Sequence, residues 1–311
     1  MKTLEDIKAY TDKQPRIEDL KTAQEIKKRL QTGKITKVLY QFKKKNIYLV
    51  LLNNNLLAIF KERNKSAREN EILAFEMASV LFKLPHTIPP TVAREYKGIS
   101  GVLQYYAVAT VDFKAGNSYE FHNRDNMALV LRTISRDSYA DFQVFKYIAA
   151  LGDVNLEGLV VWKNSLDQYC LTYVDNEFLL GNIHEKFGKT SFGKLDITNS
   201  NFYDAVINSK YTSIFHSSTL DNIAVINRDD LMALLILHYS TSEEFQAMVE
   251  IFFKNRDSLL DAAQLIQIKK NLNTYLPSGF PNTAVDFIAE QAVESVREYC
   301  SSRRLICLRI N

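Results

Sequence analysis

The spacing of hydrophobic residues changes from helical to strand-like within the first 60 residues. Apolar positions three and four residues apart predict a helix over residues 16–31, and Gly33 ends that pattern. Short runs rich in β-branched and aromatic side chains follow and predict strands. These runs are residues 38–42, 47–52 and 56–60. The turns KKKN and NNN between them suit hairpins, so the pattern predicts a three-stranded antiparallel meander that ends at Lys61.

A second helical pattern covers residues 66–82 and stops before Pro85. Ser66 and Glu69 have the spacing of a capping box, which predicts that the helix begins there. Glu71 shares a row with the apolar positions of this helix, so we expect its side chain to face inward.

The remainder of the chain adds few strands and many helices. Strands are predicted at 102–111 and within 87–95, and a helical pattern covers 125–151. The runs GLVVW and CLTYV then predict a hairpin over 158–174. Beyond residue 200 the pattern is almost entirely helical, so the sequence predicts the α+β class.

This order predicts a small β-rich lobe followed by a larger helical lobe with one embedded hairpin. We expect three parts along the 311 residues. They are an N-terminal helical extension at 1–32, a small N-lobe at 33–112 and a mostly helical C-lobe at 113–311.

Two aspartates bracket the predicted hairpin. Asp153 precedes its first strand and Asp175 follows its second. Hairpin strands run out and back about 5 Å apart, so the two carboxylates should meet at one edge. Adjacent carboxylates repel each other unless a cation or a shared proton relieves them. In kinases one such aspartate holds Mg²⁺ and another accepts the proton of the substrate hydroxyl.

Lys61 and Glu71 extend this pattern, because kinases place a phosphate-binding lysine on the third strand and its glutamate partner on the next helix. Glu69 and Glu76 are rival glutamates, but only Glu71 lies on the inward row. Taken singly, each candidate also has a plain structural explanation as a turn residue, a cap, a strand-edge lysine or a solvated charge. The case depends on their order along the chain.

Composition narrows the function classes. A net charge of +3 gives no overall case for nucleic-acid binding. The three cysteines and five histidines form no metal-ligand spacing, which argues against a zinc enzyme. No apolar run reaches membrane-spanning length, and the charged residues 1–16 lead us to expect no signal peptide.

Basic charge is nevertheless concentrated near the N-terminus. The stretch contains Lys27, Lys28, Arg29, Lys34, Lys37, Lys43, Lys44 and Lys45. A solvated surface is the ordinary interpretation. The sharper hypothesis is a site for an inositol polyphosphate activator or a phosphoinositide headgroup, since clustered amines attract multiply charged anions.

Residues 69–94, ENEILAFEMASVLFKLPHTIPPTVAR, resemble the helix-and-loop segment of the Golgi casein kinase family. The family pattern is an E-I-x-A-F helix followed by PP and a G/A-R. The segment is also similar to actin-fragmin kinase, the phosphatidylinositol 3-/4-kinases and HipA-type toxin kinases. The resemblance covers roughly residues 35–180 and implies a bilobal protein-kinase-like fold.

The resemblance implies a role for each candidate residue. Lys61 matches the lysine that binds the ATP phosphates, and Glu71 matches its ion-pair partner. Asp153 matches the catalytic-loop aspartate, and Asp175 matches the metal-binding aspartate. Residues 176–177 are Asn-Glu where many kinases have Phe-Gly, and the Golgi casein kinases also depart from Phe-Gly there.

Two departures from the kinase pattern concern the metal and the phosphates. Gly158 occupies the position of a metal-binding asparagine, and Asn155 or Glu157 is the candidate to replace it. The chain also lacks a glycine-rich loop. The turn between the first two strands instead carries Lys43, Lys44 and Lys45. Lysine amines present positive charge to phosphate, as the backbone amides of such loops do.

The resemblance implies an ATP-dependent phosphotransferase that uses Mg²⁺ or Mn²⁺, first of all an atypical protein Ser/Thr kinase. A phosphoinositide or small-polyol kinase is one alternative, and a pseudokinase that acts as a binding module is another. We expect a cytosolic protein without a nucleic-acid partner. The expected intracellular character, the absence of a predicted signal peptide and the lone-domain layout would also suit a bacterial effector kinase delivered into a host cell.

Overall fold

The computed structural model describes most of the β-rich part and several segments of the helical part. The described residues are 10–11, 13–42, 46–106, 135–151, 159–166, 168–177, 179–180, 217–239 and 243–275. The predicted division at residues 112 and 113 lies outside these ranges, so the domain limits stay predictions.

The first helix, α1, spans Leu20–Thr32. It begins after Asp19, whose side chain accepts a hydrogen bond of 2.7 Å from the backbone N–H of Thr22. Such a cap satisfies one of the free N–H groups at a helix start. The buried face consists of Ala23, Ile26 and Leu30, as the apolar spacing predicts.

The sheet has five strands in the order β1-β2-β3-β5-β4, and all neighbours are antiparallel. The strands are β1 Ile35–Gln41, β2 Ile47–Leu52, β3 Leu57–Glu62, β4 Thr91–Tyr96 and β5 Ile99–Tyr105. The predicted meander is confirmed, and so is the strand within 87–95. Strand β5 begins three residues before the predicted start at residue 102.

Strand β3 runs two residues beyond its predicted end, so Lys61 lies inside the ladder. Lys61 pairs with Ile47 of β2 and Val102 of β5. The neighbouring Gly101 allows β5 to approach closely, because a Cβ there would collide with the carbonyl oxygen of Lys61. The lysine thus lies on a central strand that is paired on both sides.

The two faces of β3 pack against different groups of residues. Ala58 and Phe60 point into the main core. Leu57 points to the other face and packs in a smaller cluster with Leu39, Leu49, Leu51 and Tyr106, against which Ile59 also packs. Side chains alternate along a strand, so Lys61 projects from the face of the smaller cluster.

Helix α2 spans Lys65–Glu76 and continues as a π-helical turn over Met77–Leu81. Its N-cap is Asn64, whose side chain accepts a hydrogen bond of 2.9 Å from Ala67 N. The prediction of a capping box between Ser66 and Glu69 is therefore wrong. Asn64 occupies the cap earlier in the chain, and Glu69 contacts other groups.

The second part of the chain is mainly helical. Its elements are α3 Arg136–Ile148, β6 Leu159–Lys163, β7 Tyr169–Tyr173, α4 Ser217–Ala224, α5 Arg228–Ile236 and α6 Glu243–Tyr275. Strands β6 and β7 pair antiparallel as the predicted hairpin. The α+β class and the order of a β-rich part before a helical part are confirmed.

The two parts pack through an aromatic contact and through strand β7. Phe82, which follows the π-helical turn, lies 5.1 Å from Phe145 of α3 and 5.9 Å from Phe252 of α6, measured between ring centroids. Tyr173 N donates to Thr87 O at 3.0 Å. This bond ties β7 to the loop between α2 and β4, so the residues after β7 lie beside α2. In the segments that the structure describes, no helix combines the length and apolar character needed to cross a membrane.

Candidate functional site

Lys61 and Glu71 form a buried ion pair between the sheet and α2. Lys61 Nζ lies 3.0 Å from Glu71 Oε2. Lys61 is 5% exposed and Glu71 is fully buried. Lysine and glutamate are almost never fully buried unless they are paired. The pairing expected from the sequence is present, whereas the role of the pair in binding ATP stays a prediction.

The segment after β7 is bonded to the β-rich part at both of its ends. Lys61 Nζ donates to the carbonyl oxygen of Val174. Asn70 Nδ2 of α2 donates to Glu177 O at 2.7 Å. Asp175 lies between these two contacts, so its carboxylate is brought next to the Lys61–Glu71 pair.

Arg63 connects the ion pair with Asp175. Its Nε lies 2.6 Å from Glu71 Oε1, and one of its terminal nitrogens lies 3.0 Å from Asp175 Oδ1. The same Nε is 3.7 Å from Glu177 Oε2. Sequence reasoning missed this residue. Its spacing two residues after Lys61 was a usable signal, because alternate residues of an extended chain point to the same side.

The charges in this cluster alter the acid–base properties of its members. Burial disfavours the charged form of Arg63, but the carboxylates of Glu71, Asp175 and Glu177 outweigh it and raise the pKa of Arg63. Burial also raises the pKa of Glu177, and the nearby Asp175 and Glu71 add to that rise against the opposing Arg63 and Lys61. Three carboxylates share two cations here, so the cluster favours additional positive charge.

The carboxylate of Asp175 is suited to bind a divalent cation as a single protein ligand. Its side chain is 37% exposed, and carboxylate oxygen is the ligand type that Mg²⁺ prefers. Mg²⁺ commonly uses one or two carboxylates together with substrate phosphates and water. Within the described ranges, no set of three or more His, Cys, Asp or Glu side chains is arranged to hold a metal ion by itself.

The residue after Asp175 adds a buried polar atom to the site. Asn176 is fully buried, and its Nδ2 donates to Tyr173 O at 3.2 Å. In the part of the chain that the structure describes, its Oδ1 has no hydrogen-bond partner. A buried oxygen without a donor beside the proposed metal ligand is a position where a bound water or cation would be stabilised.

Several predicted site residues lie outside the described residues. They are Asp153, Asn155, Glu157, Lys43, Lys44 and Lys45. Gly158 also falls there. The proximity of Asp153 to Asp175 therefore stays a prediction, as do the second metal ligand and the phosphate-facing turn.

The rival glutamates contact His238 rather than Lys61. His238 Nδ1 is 3.0 Å from Glu69 Oε2, and Nε2 is 2.9 Å from Glu76 Oε2. Burial lowers the pKa of His238, but the hydrogen bonds to both carboxylates outweigh it and raise the pKa to about 9. Lys27 also binds Glu76, with a distance of 2.6 Å from Nζ to Oε1. One member of the basic stretch is thus already paired.

Two cavities of about 270 and 410 Å³ lie apart from this cluster. Both are lined by Glu18, His86, Asp137 and Asp141. Neither is lined by Lys61, Glu71 or Asp175. The candidate site is the charged cluster between β3, α2 and the segment after β7, because there a buried ion pair lies next to a partly exposed carboxylate.

Among known proteins, only solved structures match this chain. No protein-family model matches the chain, and no curated protein sequence matches it. The Helicobacter pylori proinflammatory kinase CtkA aligns over 76% of this chain and 97% of its own, at 13% identity and a TM-score of 0.41. The Rio2 kinase of Chaetomium thermophilum, solved as an ADP/Mg²⁺–phosphoaspartate complex, aligns over 76% of each chain at 13% identity and a TM-score of 0.34. Both of these proteins are kinases by name.

Proposed function

We propose that this chain has a kinase-like fold and is an ATP-dependent phosphotransferase. The observation that carries the proposal is the buried Lys61–Glu71 pair, held next to the exposed carboxylate of Asp175. A buried ion pair gains little net stability, because desolvation of both charges offsets their attraction. Such a pair beside a metal-binding carboxylate is the arrangement that protein kinases need for phosphoryl transfer.

Each member of the cluster has a role in this proposal. Lys61 binds the nucleotide phosphates, and Glu71 holds the lysine in position. Asp175 anchors Mg²⁺ or Mn²⁺, with Asn155 or Glu157 as the proposed second ligand. When bound, the metal neutralises charge on the phosphate oxygens. Asp153 is the proposed group that accepts the proton of the substrate hydroxyl.

The apolar face of the sheet beside Lys61 supports a nucleotide ligand. Leu49, Leu57 and Ile59 lie on that face, and Ile59 is partly exposed. A planar base stacks on apolar side chains, while its phosphates need a cation within reach. Lys61 supplies that cation on the same face of β3.

The proposed acceptor is a protein Ser or Thr hydroxyl. A phosphoinositide is the second candidate, because three lysines of the basic stretch have exposed side chains that can attract an anionic headgroup. These are Lys28, Lys34 and Lys37. A binding module without phosphoryl transfer is the third, supported by the contact of Arg63 with Asp175, which occupies the metal-binding carboxylate.

The proposal is tested by incubating the full chain with Mg²⁺ or Mn²⁺ and labelled ATP. We expect label in the chain itself, in generic protein acceptors or in lipid, and the position of the label identifies the acceptor. Calorimetry should show that Asp175→Ala abolishes divalent-dependent ATP binding, because the metal that bridges the phosphates loses its anchor. The matched control is Asp229→Ala, at an exposed aspartate in the first turn of α5.

Tight Mg-ATP binding by the Asp175 variant would contradict the metal assignment. Wild-type protein that binds Mg-ATP but labels no acceptor would favour the binding module. Wild-type protein that binds no nucleotide would reject the proposed function.

A further inference from the structure

Arg63 has contacts that the kinase roles assigned above do not explain. Its side chain is 14% exposed and touches both Glu71 and Asp175. Those two residues belong to the phosphate-binding pair and to the proposed metal site. A single guanidinium therefore joins two groups that must both be in place before phosphoryl transfer.

The contact with Asp175 has a direct chemical consequence. A terminal nitrogen of Arg63 lies 3.0 Å from Asp175 Oδ1, within hydrogen-bond distance. A divalent cation on that carboxylate would lie a few ångströms from the guanidinium. Two positive charges at such a distance repel each other. The arginine and the metal therefore compete for Asp175.

The surroundings of Arg63 favour an exchange of partners over expulsion of the side chain. Glu71 is fully buried and holds Nε of Arg63 at 2.6 Å, which keeps the arginine anchored when Asp175 is taken by a metal. Asp175 is 37% exposed, so a metal ion can reach it from solvent. The released N–H groups of a guanidinium are well suited to phosphate oxygens.

We infer that Arg63 is a positioning residue that holds Asp175 in the metal-free protein and yields it to the divalent cation. This inference rests on the proposed function in one respect, the assignment of the metal to Asp175. In the metal-free state the arginine stabilises the carboxylate next to α2. In the metal-bound state it remains on Glu71 and presents free donors toward an anionic ligand.

The first test uses Mn²⁺ alone, titrated calorimetrically into the full chain without nucleotide. Arg63→Gln should bind Mn²⁺ roughly tenfold more tightly than wild type, because a competing charge a few ångströms away is removed. Arg68→Gln is the matched control, since Arg68 lies on α2 and pairs with Glu69. General damage to the fold would weaken Mn²⁺ binding, and a general effect of lost positive charge would also appear in Arg68→Gln, so a gain confined to Arg63→Gln indicates competition for Asp175.

Unchanged or weaker Mn²⁺ binding by Arg63→Gln would overturn the inference. An Arg63→Gln/Asp175→Asn double variant that still binds Mn²⁺ more tightly than wild type would also overturn it, because the metal would then lie elsewhere.

The second test has its main readout in the wild-type protein, with Asp175→Asn as a control. The resonance of the terminal Nη–H of Arg63 that contacts Asp175 is followed by NMR while Mg²⁺ is added. Release from Asp175 should shift this resonance, and Asp175→Asn should abolish the response. A resonance that does not move as Mg²⁺ saturates would contradict the exchange.

The labelled-ATP assay separates this inference from the proposed function. If the wild type transfers phosphoryl groups but Arg63→Gln does not bind Mn²⁺ more tightly, the inference about Arg63 is rejected and the proposed function stands. If Arg63→Gln binds Mn²⁺ more tightly but the protein binds no nucleotide, the exchange of Arg63 for the metal at Asp175 is supported and the proposed function is rejected.

Discussion

Lys61 can be buried because two oxygen atoms around its ammonium replace its hydration. Its ammonium contacts the carboxylate of Glu71 and the carbonyl oxygen of Val174. Glu71 in turn is shared with Arg63, so one buried carboxylate compensates two cations. The charge of each residue is stable only in the presence of the others, since an unpaired buried charge is costly.

We expect Lys61→Ala to weaken ATP binding at least roughly tenfold, because the phosphates lose a directed charge in a site of low dielectric. Lys65→Ala is the control, since Lys65 is the exposed first residue of α2. Calorimetric titration with Mg-ATP measures both variants, and thermal unfolding verifies that each is folded. Equal losses of affinity in the two variants would indicate a general effect of surface charge.

At the scale of elements, α2 positions the site. It carries Glu71 toward β3 and Asn70 toward the segment after β7. Tyr239, just beyond α5, donates a hydrogen bond to Asn70 Oδ1 and so orients that amide. The start of α2 sets the rotation of all these side chains around the helix axis, because successive residues are separated by a fixed angle.

The cap of α2 is testable, since the sequence and the structure indicate different residues. Asn64→Ala should lower the free energy of unfolding by about 1 kcal/mol, the usual cost of removing an N-cap side chain. Ser66→Ala, at the position predicted from the sequence, should change it by less than about 0.5 kcal/mol. Urea unfolding measures both. A larger effect at Ser66 would show that the helix begins where the sequence pattern predicts.

At the scale of the whole molecule, His238 connects the helical part to the β-rich part. It lies beyond the end of α5 and binds Glu69 and Glu76 on α2. Lys27 of α1 binds the same Glu76 from another direction. Three segments distant in sequence thus meet at one charged cluster, which ties α2 to α1 and to the segment after α5.

This cluster predicts a pH dependence of stability. The pKa of His238 is raised from 6.5 to about 9 in the folded protein, so its contribution is complete below pH 6.5 and is lost as the pH rises through 9. We expect a loss of about 2 kcal/mol in the free energy of unfolding across that window, specific to the histidine charge. Lys27 and Arg68 are the other cations that contact these glutamates.

The measurement is urea unfolding of wild type and His238→Gln at several pH values between 6 and 10. The difference between the two proteins should shrink as the pH rises. His86→Gln is the control, because burial lowers the pKa of His86 to about 4 and leaves it neutral throughout. A pH-independent difference at His238 would show that its charge contributes nothing.

The sequence by itself determined the elements of the β-rich part, the hairpin and the inward direction of Glu71. These features depend on periodicity and turn chemistry within a few residues, which a single sequence displays directly. The same reasoning misplaced the cap of α2, because Asn64, Ser66 and Glu69 are all residue types that suit a helix start. Only the backbone geometry distinguishes among them.

The tertiary structure alone decided which charges meet. Arg63 and Asp175 are 112 positions apart in the sequence, and His238 is 169 positions from Glu69. No local pattern encodes such pairs, since each depends on how the loop after α2, strand β7 and the end of α5 pack together. Lys61 and Glu71, by contrast, are 10 positions apart on adjacent elements, and their pairing follows from the order of strand and helix. That is the physical reason why the sequence predicted the ion pair, while only the fold revealed the arginine that joins it to the carboxylate of Asp175.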